Sequence, residues 1–409
     1  MNCFQTADIL LPQGIDMEKW AVIACDQFSS EPEYWRRVRG FVGESPSALH
    51  LILPEAELGQ DPEKRIGLIQ TNMLAYERAG LFRRLGNSFV YVERTLSDGT
   101  LRRGLVGALD LERYDYAEDT NAAVRATERT VVERIPPRMK IREHASLELP
   151  HVLLLCDDEE DAILRPLSDE RKEALYDFDL MEGGGHVRGW RICGTAGAAL
   201  SARIAAYEAS QSARCGELSA SPMLYAVGDG NHSLATAKAC YDALRTRLGP
   251  EAAKLPARFA LVELENLHDD AQRFEPIHRI VTHCDAPALL EAVRRELGAD
   301  RGGELHWISC GNEGTLYLDP SLGELPVGVL QNFLDRWLAA HPGEIDYIHG
   351  EESLRKLSQK PDSIGFLLPE VEKTAFFRSI MAEGVLPRKT FSMGSARDKR
   401  YYLEARSIG

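Results

Sequence analysis

The stretch richest in chemistry is Tyr225 to Leu244, "YAVGDGNHSLATAKACYDAL". An apolar run, Leu224 to Val227, ends in Gly-Asp-Gly-Asn-His-Ser and passes directly into an alanine-rich pattern. Leu234, Ala237, Tyr241, Leu244 and Leu248 recur at helical spacing, and Gly249-Pro250 ends the run. Gly228 and Gly230 permit backbone angles that a Cβ disfavours, and Asn231 or Ser233 is the expected helix cap. First-turn amides have no intrahelical partner and carry partial positive charge, so this junction suits a phosphate. His232 could donate to the same anion. Asp229 would repel a bare phosphate; it fits as a metal ligand, a base, or the partner of a sugar or substrate donor. The alternative is a capped turn whose glycines serve packing. The spacing is neither a P-loop nor a Rossmann fingerprint, which require Gly-Lys-Ser/Thr and a third glycine respectively.

Other groups could join such a site. Arg279, in "EPIHRIV", could hold a phosphate or carboxylate in a bidentate fork, or be a strand-edge arginine. Arg388 and Lys389, in "LPRKTFSMG", set two adjacent cations among hydroxyls in a loop, which makes an anion site or a solvated loop. Asp26 ends the apolar run "WAVIACD", either capping the next helix or lining a cleft. In "ENLHDDAQ", His268 and Asp269 with neighbouring acids offer a magnesium or manganese site, or a solvated acidic turn. "EGGGH" reads as a lid, an anion nest or a plain glycine turn.

The elements that must position these groups alternate along the chain. "WAVIACDQF" reads as a buried strand. "SEPEYWRRVRGFV" follows as a helix with Ser30 as cap and Pro32 in its first turn. "DPEKRIGLIQTNMLAYERAGLFRRLG" carries the apolar stripe of a long helix. Asp98-Gly99 sits between two extended runs as a hairpin signal. "TNAAVRATERTVVERIPPR" reads as a helix stopped by Pro136-Pro137, with Arg125 and Glu128 on one face as an ion pair. Strand and helix patterns continue to a closing strand in "KRYYLEARSI". The alternation implies an α/β (mixed α+β) fold of several mixed sheets with flanking helices. A small, polar stretch at 215–222 divides an N-terminal α/β region, 1–215, from a C-terminal one, 216–409; a single intertwined domain is the alternative.

Composition narrows the function. The 409 residues are 44% hydrophobic and 27% charged, ordinary for a globular protein. A net charge of −15 with dispersed basic residues opposes nucleic-acid binding. No apolar run approaches the roughly 20 residues of a membrane span, and the N-terminus lacks a signal peptide's basic start and apolar core. The expected compartment is the cytoplasm. The eight cysteines are scattered without Cys-x-x-Cys spacing and read as small buried residues.

These stretches, with "EKWAVIACDQFSSEPEYW", "TERTVVERIPPR", "FDLMEGGGHVRGW" and "NLHDDAQRFEPIHR", resemble the bacterial family known as domain of unknown function 1015 over nearly the whole chain. This sequence matches the subgroup whose motif is Gly-Asp-Gly-Asn-His-Ser in place of Asp-Gly-His-His-Arg. The latter form is distantly similar to the ParB and sulfiredoxin superfamily, which includes free-serine kinases that use ADP. The resemblance implies a ParB/sulfiredoxin-like element around 222–248 in which Gly230 and His232 match the phosphate turn. Ser233 stands where the family motif has its arginine, with Lys238 the candidate replacement. The resemblance also favours Arg279, because Pro-x-His-Arg occurs in the wider family, and raises Glu128 as a catalytic acid or base. The resulting expectation is a phosphotransferase or phosphohydrolase acting on a small hydroxy metabolite, serine or phosphoserine among them. It would use ADP or ATP with Mg²⁺; Gly228, Gly230, Asn231, Ser233, Arg279, Arg388 and Lys389 would hold the nucleotide, while Glu128, Asp26, Asp229 and His232 would do the chemistry. A nucleotide sensor without catalysis and a metal-dependent hydrolase are the alternatives.

Overall fold

Period-two alternation builds the central sheet and buries both of its faces. Val90 and Val92 enter one core with Val106, Ala108, Trp20 and Trp35. Phe89 and Tyr91 enter a second with Leu105, Leu109, Tyr225 and Leu234. The computed structural model describes residues 2–58, 61–130, 135–170, 173–217, 221–323, 325–387 and 389–409. Two compact units result, one of residues 1–272 and 394–409, the other of residues 273–393.

The first unit holds an 11-stranded mixed sheet. Its main path runs Glu173–Asp179, His186–Ile192, Phe82–Thr95, Leu101–Asp110, Phe259–Asn266, Leu153–Cys156, Tyr225–Asp229, Val124–Ala126 and Tyr114–Asp115. Tyr225–Asp229 lies antiparallel to Leu153–Cys156 and parallel to Val124–Ala126. Helices Gly194–Glu217 and Asn231–Leu248 contribute Leu200, Ile204 and Leu234 to the second core. The second unit is a seven-stranded sheet with antiparallel pairing, flanked by helices including Ala286–Leu297, Pro326–Ala340 and Lys373–Glu383. The fold is thus mixed α/β, its larger sheet mixed and its smaller one antiparallel. Among the described residues no helix is long and apolar enough to cross a membrane.

The seam expected at 215–222 lies within the first unit, partly outside the described residues, while the units divide at 272/273 and 393/394. Tyr207 of the preceding helix and Tyr225 of the following strand share one core, so few contacts could be spared there. The helix expected across 120–135 is replaced by the strand Val124–Ala126 and a helix, Ile135–Arg142, that begins with its prolines. Proline lacks an N–H and is tolerated in a first turn, where that donor has no intrahelical acceptor. Arg125 therefore makes no helical pair with Glu128; its guanidinium donates to the carbonyls of Ala122 and Ser221. The long helix stops at Arg78, with Gly80 left-handed at φ +67°, and Phe82 already begins a strand. Glu31, not Ser30, occupies the position before Pro32–Val42, and its side chain makes no capping hydrogen bond.

The last residues of the first unit are threaded through it by buried guanidinium groups. Arg94 donates to the carbonyls of Gly184, Arg397, Asp398 and Lys399 at 2.6–3.3 Å. Arg102 adds a bond to Asp398 O at 2.8 Å. Arg400 is clasped by Glu263 at 2.6 Å and Glu404 at 2.7 Å and donates to Pro150 O. Burial and the neighbouring Arg102 pull Arg94 down to about 10, which leaves it cationic at neutral pH. Arg94→Leu would strip these carbonyls of donors at about 1–3 kcal/mol each. It is expected to lower stability by roughly 3 kcal/mol or more, read from urea unfolding.

Arg102 Nε also lies 2.9 Å from Glu265 Oε1, as an ion pair whose atoms are not aligned for a hydrogen bond. Burial, with Glu263 and Asp269 nearby, pushes the Glu265 carboxyl up to about 7 against the pull of Arg102. A raised folded-state value means the fold binds this proton more tightly than the unfolded chain. The associated stability is complete below the ordinary value of 4.5 and is lost as pH rises through 7. Glu265→Gln should flatten the fall in unfolding free energy over that window; an unchanged pH profile would refute the assignment.

Candidate functional site

The strand-to-helix junction is built by two glycines with different tasks. The register between Tyr225–Asp229 and Leu153–Cys156 slips between Val227 and Asp229, so Gly228 sits in a bulge. Bulges re-aim the side chains that follow them, here that of Asp229. Gly230 then takes φ +80° as the residue preceding the helix, and no side chain caps that helix. Asn231 and Ser233 are therefore first-turn residues, and the left-handed glycine occupies the capping position. Gly230 itself is buried, while residues 231–233 stay partly exposed. A Cβ on Gly230 would stand 3.0 Å from Val152 Cα and 3.4 Å from His151 Cδ2.

Polar groups converge on this turn from distant parts of the first unit. Lys399 Nζ is 3.4 Å from Asp229 Oδ1. Asp26, in the turn after the short strand Val22–Ile23, places Oδ2 at 3.8 Å from His151 Nε2. The other ring nitrogen of His151 is 2.8 Å from Tyr402 Oη, which also accepts from Cys25 N. Burial works against the Asp26 charge, but His151, a hydrogen bond from Gln27 and Lys399 together hold its carboxyl below the ordinary value. Asp26 is thus an anion at neutral pH. Burial, with Asp26 next to it, lifts the Cys25 thiol to about 11, which leaves it unreactive.

Two acceptors in this cluster are unsatisfied. Asp229 Oδ2 and Asn231 Oδ1 are buried and accept no hydrogen bond from any described residue. The Asn231 amide donates to Thr127 Oγ1 at 3.4 Å, and Thr127 in turn donates to Val227 O at 2.6 Å. A buried acceptor without a donor costs about 1–3 kcal/mol, and such atoms at a cleft call for a cation or a ligand donor.

Of the residues singled out in the sequence, Asp26, Gly228, Asp229, Gly230 and Asn231 meet here. His232 and Ser233 occupy the first turn; the His232 carbonyl accepts from Thr236 Oγ1. Glu128 directly follows Thr127 and is half-buried. Lys238 is turned to Asp242 at 3.0 Å. In the second unit, Arg279 is fully buried on a strand paired on both sides. Its guanidinium donates to Gln331 Oε1, Ile277 O and Lys389 O and stacks over Tyr347 at 4.6 Å. Lys389 is exposed with φ +55°, and Arg388 lies outside the described residues.

His268 and Asp269 diverge. His268 Nε2 pairs with Asp157 at 2.7 Å, whereas Asp269 pairs with Arg103 at 3.0 Å. Asp157, Glu159 and His268 offer ligand atoms within 4.8 Å of one another. Arg214 already bonds both acids and supplies the positive charge a metal would bring.

Sequence reading missed His151, Thr127, Lys399 and Tyr402. His151 stands just ahead of the buried "VLLLC" strand, and Lys399 in the cationic pair of "KRYY". Those contexts are the available signals, and neither reveals its partner.

The fold and cluster define a mixed α/β protein with an uncapped, polar helix start. The chain belongs to the family described as protein of unknown function DUF1015, whose model matches residues 10–405. No curated protein matches it. Among solved structures, a C-terminally truncated SbnI from Staphylococcus aureus aligns at TM-score 0.37 and 10% identity, over 71% of this chain and 83% of that one. A free serine kinase in complex with AMP gives 0.37 and 10%, over 72% and 90%. A conserved hypothetical protein from Pyrococcus furiosus gives 0.35 and 11%, over 72% and 92%. Likeness at this level assigns no role to any residue here.

Gly230→Ala would force a Cβ into left-handed backbone against Val152. It should cost about 1–2 kcal/mol from the backbone alone and more from the contact. A chemical denaturation midpoint indistinguishable from wild type would show that the turn is not held as described.

Proposed function

We propose that this protein transfers or hydrolyses a phosphoryl group on a small hydroxy compound, with a nucleotide as the phosphate-bearing partner. One observation supports the reading above others: two buried oxygen acceptors, Asp229 Oδ2 and Asn231 Oδ1, stand unsatisfied at the start of an uncapped helix beside a lysine. Uncapped amides favour phosphate oxygens. Phosphoryl transfer relies mainly on positioning and charge neutralisation, and Lys399 is the cation on hand. His232 in the first turn is an additional donor.

Asp26 is the group assigned to accept the hydroxyl proton. It is anionic, partly exposed and oriented through His151, which Tyr402 holds in turn. Glu128 is the second carboxylate for that task. The orphaned oxygens fit a hard cation, so Asp229 and Asn231 are the residues that would hold Mg²⁺. The ion would neutralise phosphate charge. Serine is the substrate favoured by the family resemblance, and the cytoplasm the compartment. Arg279 and Lys389 belong to the second unit, where the Arg279 guanidinium donates to the Lys389 carbonyl at 3.0 Å, and this reading gives them no role.

The test is turnover of ADP or ATP with serine, and of phosphoserine, each with Mg²⁺ present. Wild type should show turnover and saturable nucleotide binding. Asp26→Asn and Asp229→Asn, which conserve shape, should each lower turnover by about 100-fold or more while leaving unfolding midpoints close to wild type. Absence of both turnover and nucleotide binding in wild type would discard the proposal. Nucleotide binding without turnover would favour a sensor instead.

A further inference from the structure

The far part of the Asn231–Leu248 helix presents a second polar site. Lys238, Asp242 and Arg245 fall on one face at helical spacing. With Glu112, Tyr114 and Asp115 they line a pocket of about 390 Å³ in the first unit, within the range of small-molecule sites. The function proposed above does not use it.

Its acceptors are largely engaged. Glu112 accepts from Tyr241 Oη at 2.6 Å and pairs with Arg258 at 3.2 Å. Asp115 accepts from Ala117 N at 3.1 Å and Thr120 Oγ1 at 2.8 Å. Asp242 Oδ1 takes its bond from Lys238 at 3.0 Å. The donors are not engaged to the same degree. Lys238 is only 12% exposed at its side chain and has Asp242 as its one ion pair. Among the described residues the Arg245 guanidinium makes no hydrogen bond or ion pair. The Tyr114 hydroxyl is buried, at 1% residue exposure, and also has no partner. Burial, with Tyr116 and Asp115 beside it, pushes that phenol up, so it remains a donor at any physiological pH.

Surplus donors require a ligand rich in acceptors, such as a carboxylate. The pocket's own balance constrains the rest of the ligand. Three carboxylates against two cations leave it net negative, which disfavours a phosphate or any ligand with excess negative charge. A ligand that carries its own cation meets both demands. Its carboxylate would face Arg245, Lys238 and Tyr114, and its ammonium the remaining lone pairs of Asp242 and Asp115. We infer that this pocket binds a small zwitterion of the amino-acid class, separately from the phosphoryl site.

L-Alanine is the probe, because it has both charges and no hydroxyl to phosphorylate. Alanine binding that is weakened by changes at Tyr114 and Arg245 reads this pocket whether or not the phosphoryl-transfer reading survives, since neither residue belongs to the phosphoryl site. Titration of the full chain, followed by ligand-observed NMR, should show saturable millimolar binding. Propionate and ethylamine, each with one of the two charges, should bind about tenfold more weakly or worse. Tyr114→Phe and Arg245→Gln, one removing a hydroxyl and the other an exposed charge, should each weaken alanine by about tenfold at unchanged unfolding midpoint. No saturable binding of alanine would overturn the proposal. Equal binding of propionate would overturn the zwitterion assignment, and undiminished binding by both variants would overturn the location.

Discussion

The candidate site depends on buried positive charge gripping a terminal segment. Lys399 reaches Asp229 only because its own carbonyl is held by Arg94 and the next residue, Arg400, is locked between Glu263 and Glu404. A lone buried guanidinium would be costly, so each is surrounded by carbonyls or carboxylates. That requirement makes the arrangement specific. Arg94 needs the consecutive carbonyls of 397–399 and that of Gly184 at once, which fixes the glycine turn and the terminal segment against each other. The "GGG" run read as a lid or nest thus supplies an anchoring carbonyl.

Two backbone irregularities turn this rigidity into the geometry of the candidate site. The bulge at Gly228 releases Asp229 from strict strand alternation, and the left-handed Gly230 turns the chain into the helix without a capping side chain. Each would be a defect in an idealised strand-to-helix connection. Together they leave acidic and amide oxygens buried beside a lysine and a carboxylate–histidine pair. Local rules fail here where several polar groups meet, which is where a functional site is expected to conflict with folding preferences.

Local signals made much of this legible. The Asp98-Gly99 hairpin, the strand into Gly-Asp-Gly-Asn-His-Ser and the helix after it are written in periodicity and turn chemistry. The glycine positions and Asp26 followed from the same signals. The failures have identifiable causes. Val124 to Thr127 are all buried, yet the alanines and arginines around them imitate a helix, so tertiary pairing with Tyr225–Asp229 overrode propensity. The prolines at 136 and 137 mark a helix start as well as a stop, and spacing alone does not choose. His151, Thr127 and Lys399 join the site through sheet order and the threaded terminus, neither of which leaves a short-range trace. Arg279 was visible as a special arginine, but its enclosure by Gln331, Tyr347 and backbone carbonyls is a property of the folded unit.

The division of the first unit into 1–272 and 394–409 also orders its assembly in time. A ribosome must translate the whole of 273–393 before the residues that neutralise Glu263 and meet Asp229 exist. Until then the nascent sheet carries buried acids without their cationic partners. The inserted unit thereby acts as a delay between making the greater part of the first unit and completing it, a period in which Glu263 has no Arg400 to neutralise it.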